Sequence, residues 1–324
     1  MKTLTCIPKL PDPTTHNVEF ARQLHRALAT VGAAYIPVSS VLDDHVLLNT
    51  LKTFFALSDA QKRIFAQQLT SPWQGVFLPL GEEQLADDQE DYKEVLDLNL
   101  ERGTYARWSN RRKAQQTSRH LAVNEADTKV LMQVAQPLFQ VFDVFQAQAR
   151  HVLAAIEMAY HQPVNSLVSQ HGKNSTLRLL HYPPAPHLAL GSIRLGAHQD
   201  YSGLTLLWQD TTGGLEIFTP DHEWVPVDIP RGCIGVIVGE VMQRWSGGTL
   251  HGAPHRVRVA NAQQLQKARY SIAFFCETND DCVVYPGSLI HESGVSELDC
   301  FNEPIVIEQF LTQKYDQIME NVNF

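Results

Sequence analysis

Between Ser175 and Glu277 the apolar residues recur at every second position in short runs, and no other feature of the chain constrains its fold as tightly. TLRLLHY, LTLLWQD, GLEIF, EWVPV, CIGVIV, HRVRV and ARYSIAFFCE are set apart by Gly, Pro, Asp and Asn. A two-residue period sends alternate side chains to opposite faces of a strand, and many short strands with turn residues between them make an antiparallel sandwich or barrel. A jelly-roll core is expected over the second half of the chain.

The first half has a different period. Val18, Ala21, Leu24, Leu28 and Val31 fall at three- and four-residue steps, the spacing of one helix face. VLLNTLKTFFALSDAQKRIF repeats that pattern with a capping signature at Ser58 and Asp59. A third helix is expected from about Asp127 to about Tyr160, kinked at Pro137. EPIVIEQFLTQKYDQIME predicts a C-terminal helix packed back on the sheet. The expected organisation is a helical N-terminal region, residues 1–165, packed on a core of residues 166–324 as one integrated unit, a mixed α and β fold with supporting helices.

Bulk properties narrow the function. With 44% hydrophobic and 19% charged residues, a chain of 324 residues can bury one large decorated core. A net charge of -9 provides no positive field for nucleic acid or an anionic membrane surface. The dense basic run from Arg107 to Lys113 reads as a solvated loop. Five cysteines (Cys6, Cys233, Cys276, Cys282 and Cys300) form no CxxC pair and follow no secretory leader, so reduced thiols in a cytoplasmic protein are expected. Apolar runs such as IGVIVG are too short to span a bilayer. The expected partner is a small-molecule substrate, with the chain a monomer or small homo-oligomer.

His198 and Asp200 lie two apart in GAHQDYSG, so on extended backbone both leave the same face and can reach one ion. His255 opens HRVRV, where alternation sends it with Val257 and Val259 to one side and Arg256 with Arg258 to the other. His251, His187 and His181 compete for the third position, but His255 begins a strand while His251 lies in the loop SGGTLHGAP. Two imidazoles and a carboxylate form the open facial set of non-haem Fe(II) oxygenases, although zinc hydrolases use similar donors. A second motif argues against zinc. In ARYSIAFF, Arg269, Ser271, Ala273 and Phe275 share one strand face, and an arginine directed into a barrel requires an anion.

HQD, then HRV about 55 residues further on, then RYS, resembles the iron and 2-oxoglutarate dioxygenases of the isopenicillin N synthase family. GGLEIF, EWVPV, VMQRWSGGTLHGAPHRV and HYPP are similar to the family's core, while DYKEVLDL and FFALSDAQK resemble its helical N-terminal region. The resemblance implies a double-stranded β-helix with Fe(II) held by His198, Asp200 and His255 at one end. It further implies that Arg269 and Ser271 bind the distal carboxylate of 2-oxoglutarate with help from Tyr182, and that O2 is the oxidant. The chain departs from the family at Leu180, where an asparagine is usual, and in the longer PAPHLALGSIRLG segment before the HxD pair.

On this basis the chain is expected to hydroxylate, desaturate or cyclise a small organic metabolite of secondary metabolism. One alternative is an oxidase that uses no 2-oxoglutarate, in which the Arg and Ser pair binds a substrate carboxylate. A second is a non-catalytic binding protein on the same barrel. Candidate substrate residues are Arg194, which would favour a carboxylated substrate, with Phe77, Glu82, Glu83, Phe275 and Glu277.

Overall fold

All seven period-two runs form strands in the computed structural model, which describes residues 6–15, 18–38, 42–69, 71–82, 91–100, 103–116, 125–290 and 303–320. The strands of the two large sheets are β1 (Ala33–Pro37), β2 (Trp73–Leu78), β3 (Glu94–Leu100), β4 (Thr176–Tyr182), β5 (Ile193–His198), β6 (Leu204–Gln209), β7 (Leu215–Phe218), β8 (Trp224–Pro226), β9 (Cys233–Val238), β10 (His255–Arg258) and β11 (Arg269–Cys276). They form a seven-stranded sheet, ordered β1-β9-β6-β11-β4-β3-β2, and a four-stranded sheet, ordered β5-β10-β7-β8. Every pairing within these two sheets is antiparallel.

Three strands of the larger sheet come from the first half of the chain, where a mostly helical region was expected. AAYIP, WQGVFL and EVLDLNL are buried along almost their whole length. A strand covered on both faces loses the alternation that identifies a half-exposed one, so its apolar run resembles a piece of buried helix. DYKEVLDL therefore ends in β3, not in a helix, and the sheet draws strands from both sides of residue 165.

The helices are α1 (Val18–Thr30), α2 (Asp44–Phe55), α3 (Asp59–Gln68), α4 (Gly103–Gln116), α5 (Glu125–Ala159), α6 (Glu240–Trp245), α7 (Ala262–Gln266) and α8 (Ile307–Glu320). Ser58 separates α2 from α3 through a capping box, its hydroxyl accepting from Gln61 N while the Gln61 side chain accepts from Ser58 N. Helix α5 continues through Pro137 and packs against the larger sheet, with Phe142 and Phe145 meeting Phe274 at ring separations of 5.2 and 6.1 Å.

The basic run from Arg107 to Lys113 lies in α4, correcting the loop expectation. Arg107 pairs with Asp280 and Glu308, and Arg111 pairs with Asp316. Helix α8 thus packs on α4 through charges of opposite sign. Exposed pairs of this kind contribute only ~0–1 kcal/mol each, so they orient the helix more than they stabilise the fold.

His171 supports the loop that carries Asp200. Its Nδ1–H donates to Leu167 O at 2.8 Å, its Nε2 accepts from Thr278 Oγ1 at 3.0 Å, and a Cβ on Gly203 would lie 2.4 Å from that Nε2. Burial pushes the His171 pKa down from 6.5 to about 4. Between those values the unfolded chain binds the proton and the folded chain does not, so folding stability falls as pH drops through that window. Urea midpoints measured across it should fall with acidification, and the slope should be shallower in His171→Gln.

Candidate active site

The two sheets close around a cavity that places the predicted histidines and aspartate together. The His198 and His255 Nε2 atoms each lie 3.7 Å from Asp200 Oδ1, and the ligand atoms of the three residues all lie within 4.8 Å of one another. Two ligands about 2.1 Å from a shared ion can be up to ~4 Å apart, so the 3.7 Å pairs are within reach of one ion. Strand pairing sets this geometry, because His255 on β10 is opposite His198 on β5.

Backbone carbonyls orient both rings. Nδ1–H of His198 donates to Gly196 O at 2.8 Å and Nδ1–H of His255 to Ala253 O at 3.2 Å, which leaves each Nε2 lone pair facing Asp200. Thr205 Oγ1 donates to Asp200 Oδ2 at 2.5 Å and so directs Oδ1 toward the rings. Burial, with His255 alongside, pushes the His198 pKa down to about 4, keeping the imidazole neutral as a ligand must be. His251 lies outside the group, its Nε2 turned to Phe218 O. The donor set fits a divalent ion that retains open positions.

Gly239 allows the Asp200 loop to approach β9. A Cβ there would lie 2.0 Å from Ser202 O, and Glu240 N donates to Asp200 O at 2.8 Å across the same junction. Alanine at this position should displace the loop that positions Asp200.

Arg269 and Ser271 face the same cavity from β11. Arg269 is 2% exposed; its Nη1 donates to Ser271 Oγ and its Nη2 to Gln209 Oε1, both at 2.8 Å. Gln209 is itself fixed by donating to Val227 O at 2.6 Å. Among the described residues no carboxylate pairs with Arg269, and its Nε has no hydrogen-bond partner. A buried guanidinium left in this condition suits a bound carboxylate. Tyr182 is buried with its ring 4.9 Å from the guanidinium carbon.

Lys93 lines this cavity too, and no sequence motif points to it. Asp91 Oδ1 accepts from Gly196 N and Oδ2 pairs with Lys93 Nζ at 2.8 Å, while Tyr92 N donates to Arg194 O. These bonds dock residues 91–93 on β5 and bring Lys93 beside Tyr182. A cationic side chain thus stands near Leu180, where the resembling family carries an asparagine.

Arg194 does not reach the cavity, contrary to expectation. The β5–β10 register runs His198 to His255 and then Leu195 to Val257, an irregularity that puts Leu195 in the position strict alternation would give to Arg194. Arg194 lies behind the site, donating to Pro183 O and stacked over Tyr92 and Tyr182, with burial pushing its pKa down to about 10. Phe77 also lies away from the site expected for it. It is fully buried on β2, two strands from β4, against Phe54 and Lys62. Glu82 is half-buried and pairs with Arg63 at 2.9 Å, away from the cavity. Glu83 and Cys300 lie outside the described residues.

Phe275 and Glu277 do meet the site. A second cavity adjoins the first at His198, Asp200, Arg178 and Phe275, and Glu277, Tyr105 and Tyr315 bound its other side. Glu277 is buried, and burial together with the Asp200 charge pushes its pKa up to about 8.

Arg178, between the cavities, is held by Asp97 through two bonds of 2.8 Å, and Tyr105 OH donates to the same carboxylate. Removing one partner of such a buried pair leaves an uncompensated charge. Asp97→Ala should lower unfolding free energy by about 3 to 5 kcal/mol, measured by urea titration.

Residues 173–278 match the model of the 2OG-Fe(II) oxygenase superfamily. The 2-oxoglutarate-dependent dioxygenase htyE of Aspergillus rugulosus is 39% identical over 144 residues, or 41% of this chain and 44% of the relative. The proline hydroxylase buaE of Petromyces alliaceus is 34% identical over 151 residues, or 43% of this chain and 47% of the relative. The chain thus spans less than half the length of these curated relatives. Among solved structures, a full-length Neurospora crassa protein in complex with alpha-KG superposes with a TM-score of 0.76 at 22% identity, covering 97% of both chains. The dioxygenase for auxin oxidation from rice superposes with a TM-score of 0.69 at 20% identity, covering 96% of both. At such identities the likeness is one of fold. No helix among the described residues is long and apolar enough to cross a membrane.

Proposed function

We propose that this chain, whose residues 173–278 match the model of the 2OG-Fe(II) oxygenase superfamily, is an Fe(II)- and 2-oxoglutarate-dependent oxygenase of a small organic metabolite. Hydroxylation, desaturation or oxidative cyclisation would accompany release of succinate and CO2. The main support is the buried Arg269, which has no carboxylate partner among the described residues and faces the same cavity as His198, Asp200 and His255. In this reading Arg269 and Ser271 bind the distal carboxylate of 2-oxoglutarate, Tyr182 packs beside it, and Lys93, paired with Asp91, lines the same chamber. His198, Asp200 and His255 hold the iron, whose chemistry when bound is oxygen activation coupled to decarboxylation of the co-substrate.

The carboxylated-substrate expectation rested on Arg194, which faces away from the cavity. A relative named proline hydroxylase favours hydroxylation among the three outcomes. Oxygen uptake by the Fe(II)-loaded protein, measured with and without 2-oxoglutarate, tests the reading. Uptake and succinate formation should both require 2-oxoglutarate. Uptake that proceeds unchanged without it would assign Arg269 to a substrate carboxylate instead.

A further inference from the structure

The second cavity, on the Glu277 side of the triad, contains an acceptor with no donor. Glu277 is 3% exposed, and its Oε1 has one long bond, accepted from Tyr315 OH at 3.4 Å. Its Oε2 is buried with no partner among the described residues. Arg178 lines the same cavity, but its guanidinium is already engaged by Asp97. A buried carboxyl oxygen without a donor opposes folding, and such a group persists where a ligand completes it. Tyr105, Tyr201 and Tyr315 surround the same space, and aromatic faces attract cations. Acceptor and rings favour the same kind of group.

We propose that Glu277 determines substrate choice and that the substrate carries a basic nitrogen, an ammonium N–H of which donates to Glu277 Oε2. The inference rests on the oxygenase reading, in which the Arg269 chamber holds the co-substrate and this one holds the substrate. Substrate bound here lies beside His198 and Asp200, at the edge of the metal site. Glu277 itself is a positioning residue, since it holds the nitrogen and leaves the oxidised carbon to the metal side.

The test is binding, which needs no turnover. The full chain is titrated with a panel of small primary and secondary amines and amino acids, each beside a hydroxy analogue in which oxygen replaces the nitrogen. Affinity is read by calorimetry and thermal unfolding, with and without Fe(II) under argon. We expect at least one amine to bind, its hydroxy analogue to bind about tenfold or more weakly, and Glu277→Gln to lose a similar factor for the amine. The unliganded Glu277→Gln protein should melt no lower than wild type, because the isosteric amide removes an unpaired carboxyl. The proposal is overturned if no amine binds, if analogues bind equally well, or if Glu277→Gln retains full amine affinity. It is also overturned if that variant melts several degrees lower, since the carboxyl is then structural. Failure of the oxygenase reading would show separately, as absence of iron-dependent succinate formation in wild type.

Discussion

His255→Ala and His198→Ala should each lose Fe(II) binding and reduce 2-oxoglutarate-dependent succinate formation by more than about a hundredfold, the upper end of what losing a ligand-orienting residue alone does. Iron content after anaerobic reconstitution and succinate release are the two measurements. Each removes one of the three donors that come together among the described residues, where the ring centroids lie 4.4 Å apart and both Nε2 atoms lie 3.7 Å from Asp200 Oδ1. His251→Ala is the control. Its ring is directed at Phe218 O, and its removal should leave iron content unchanged. Thr205→Val should fall between the two, because it frees Asp200 Oδ2 to rotate without deleting a ligand, for a loss of about 10- to 100-fold. Full iron occupancy and turnover in His255→Ala would remove the triad from the reaction.

The residues of the metal group were readable because strand periodicity and motif order converge on them. His198 ends β5 with Asp200 two residues on in the loop that follows, and His255 opens a strand whose alternation holds through Val257. That Arg269, Ser271, Ala273 and Phe275 share one strand face was readable for the same reason, and all four line the first cavity. What was not readable depends on contacts between segments distant in the chain. Lys93 reaches the cavity because Asp91 bonds Gly196 N, a pairing with no sequence signature. Arg194 misses it because of an irregularity between β5 and β10, which local alternation does not predict. β1, β2 and β3 were hidden by burial on both faces, where the alternation that identifies a strand disappears. The second cavity depends on α8 packing on α4, which places Tyr315 over Glu277 through ion pairs between residues 201 and 205 positions apart.

Arg269→Ala should raise the KM for 2-oxoglutarate by about a hundredfold or more, with a smaller change in kcat at saturation. A bidentate guanidinium–carboxylate contact comprises two charge-assisted bonds, and losing even about 3 kcal/mol of that corresponds to ~100-fold in affinity. Arg269→Lys should recover only part of the loss, because an ammonium cannot present two parallel N–H groups and would have to reach Ser271 and Gln209 with one atom. Stability separates this role from a structural one. If the guanidinium served the fold, its removal would lower the melting temperature as Asp97→Ala is expected to do, since Asp97 balances a partner charge. Arg269 balances none among the described residues, so alanine should leave the melting temperature unchanged or higher while the KM for 2-oxoglutarate rises. An Arg269→Ala protein that melts lower and keeps its KM would place the arginine in the architecture and leave the co-substrate without its anchor. One that keeps its fold and loses 2-oxoglutarate would account for a buried cation that the described residues do not neutralise.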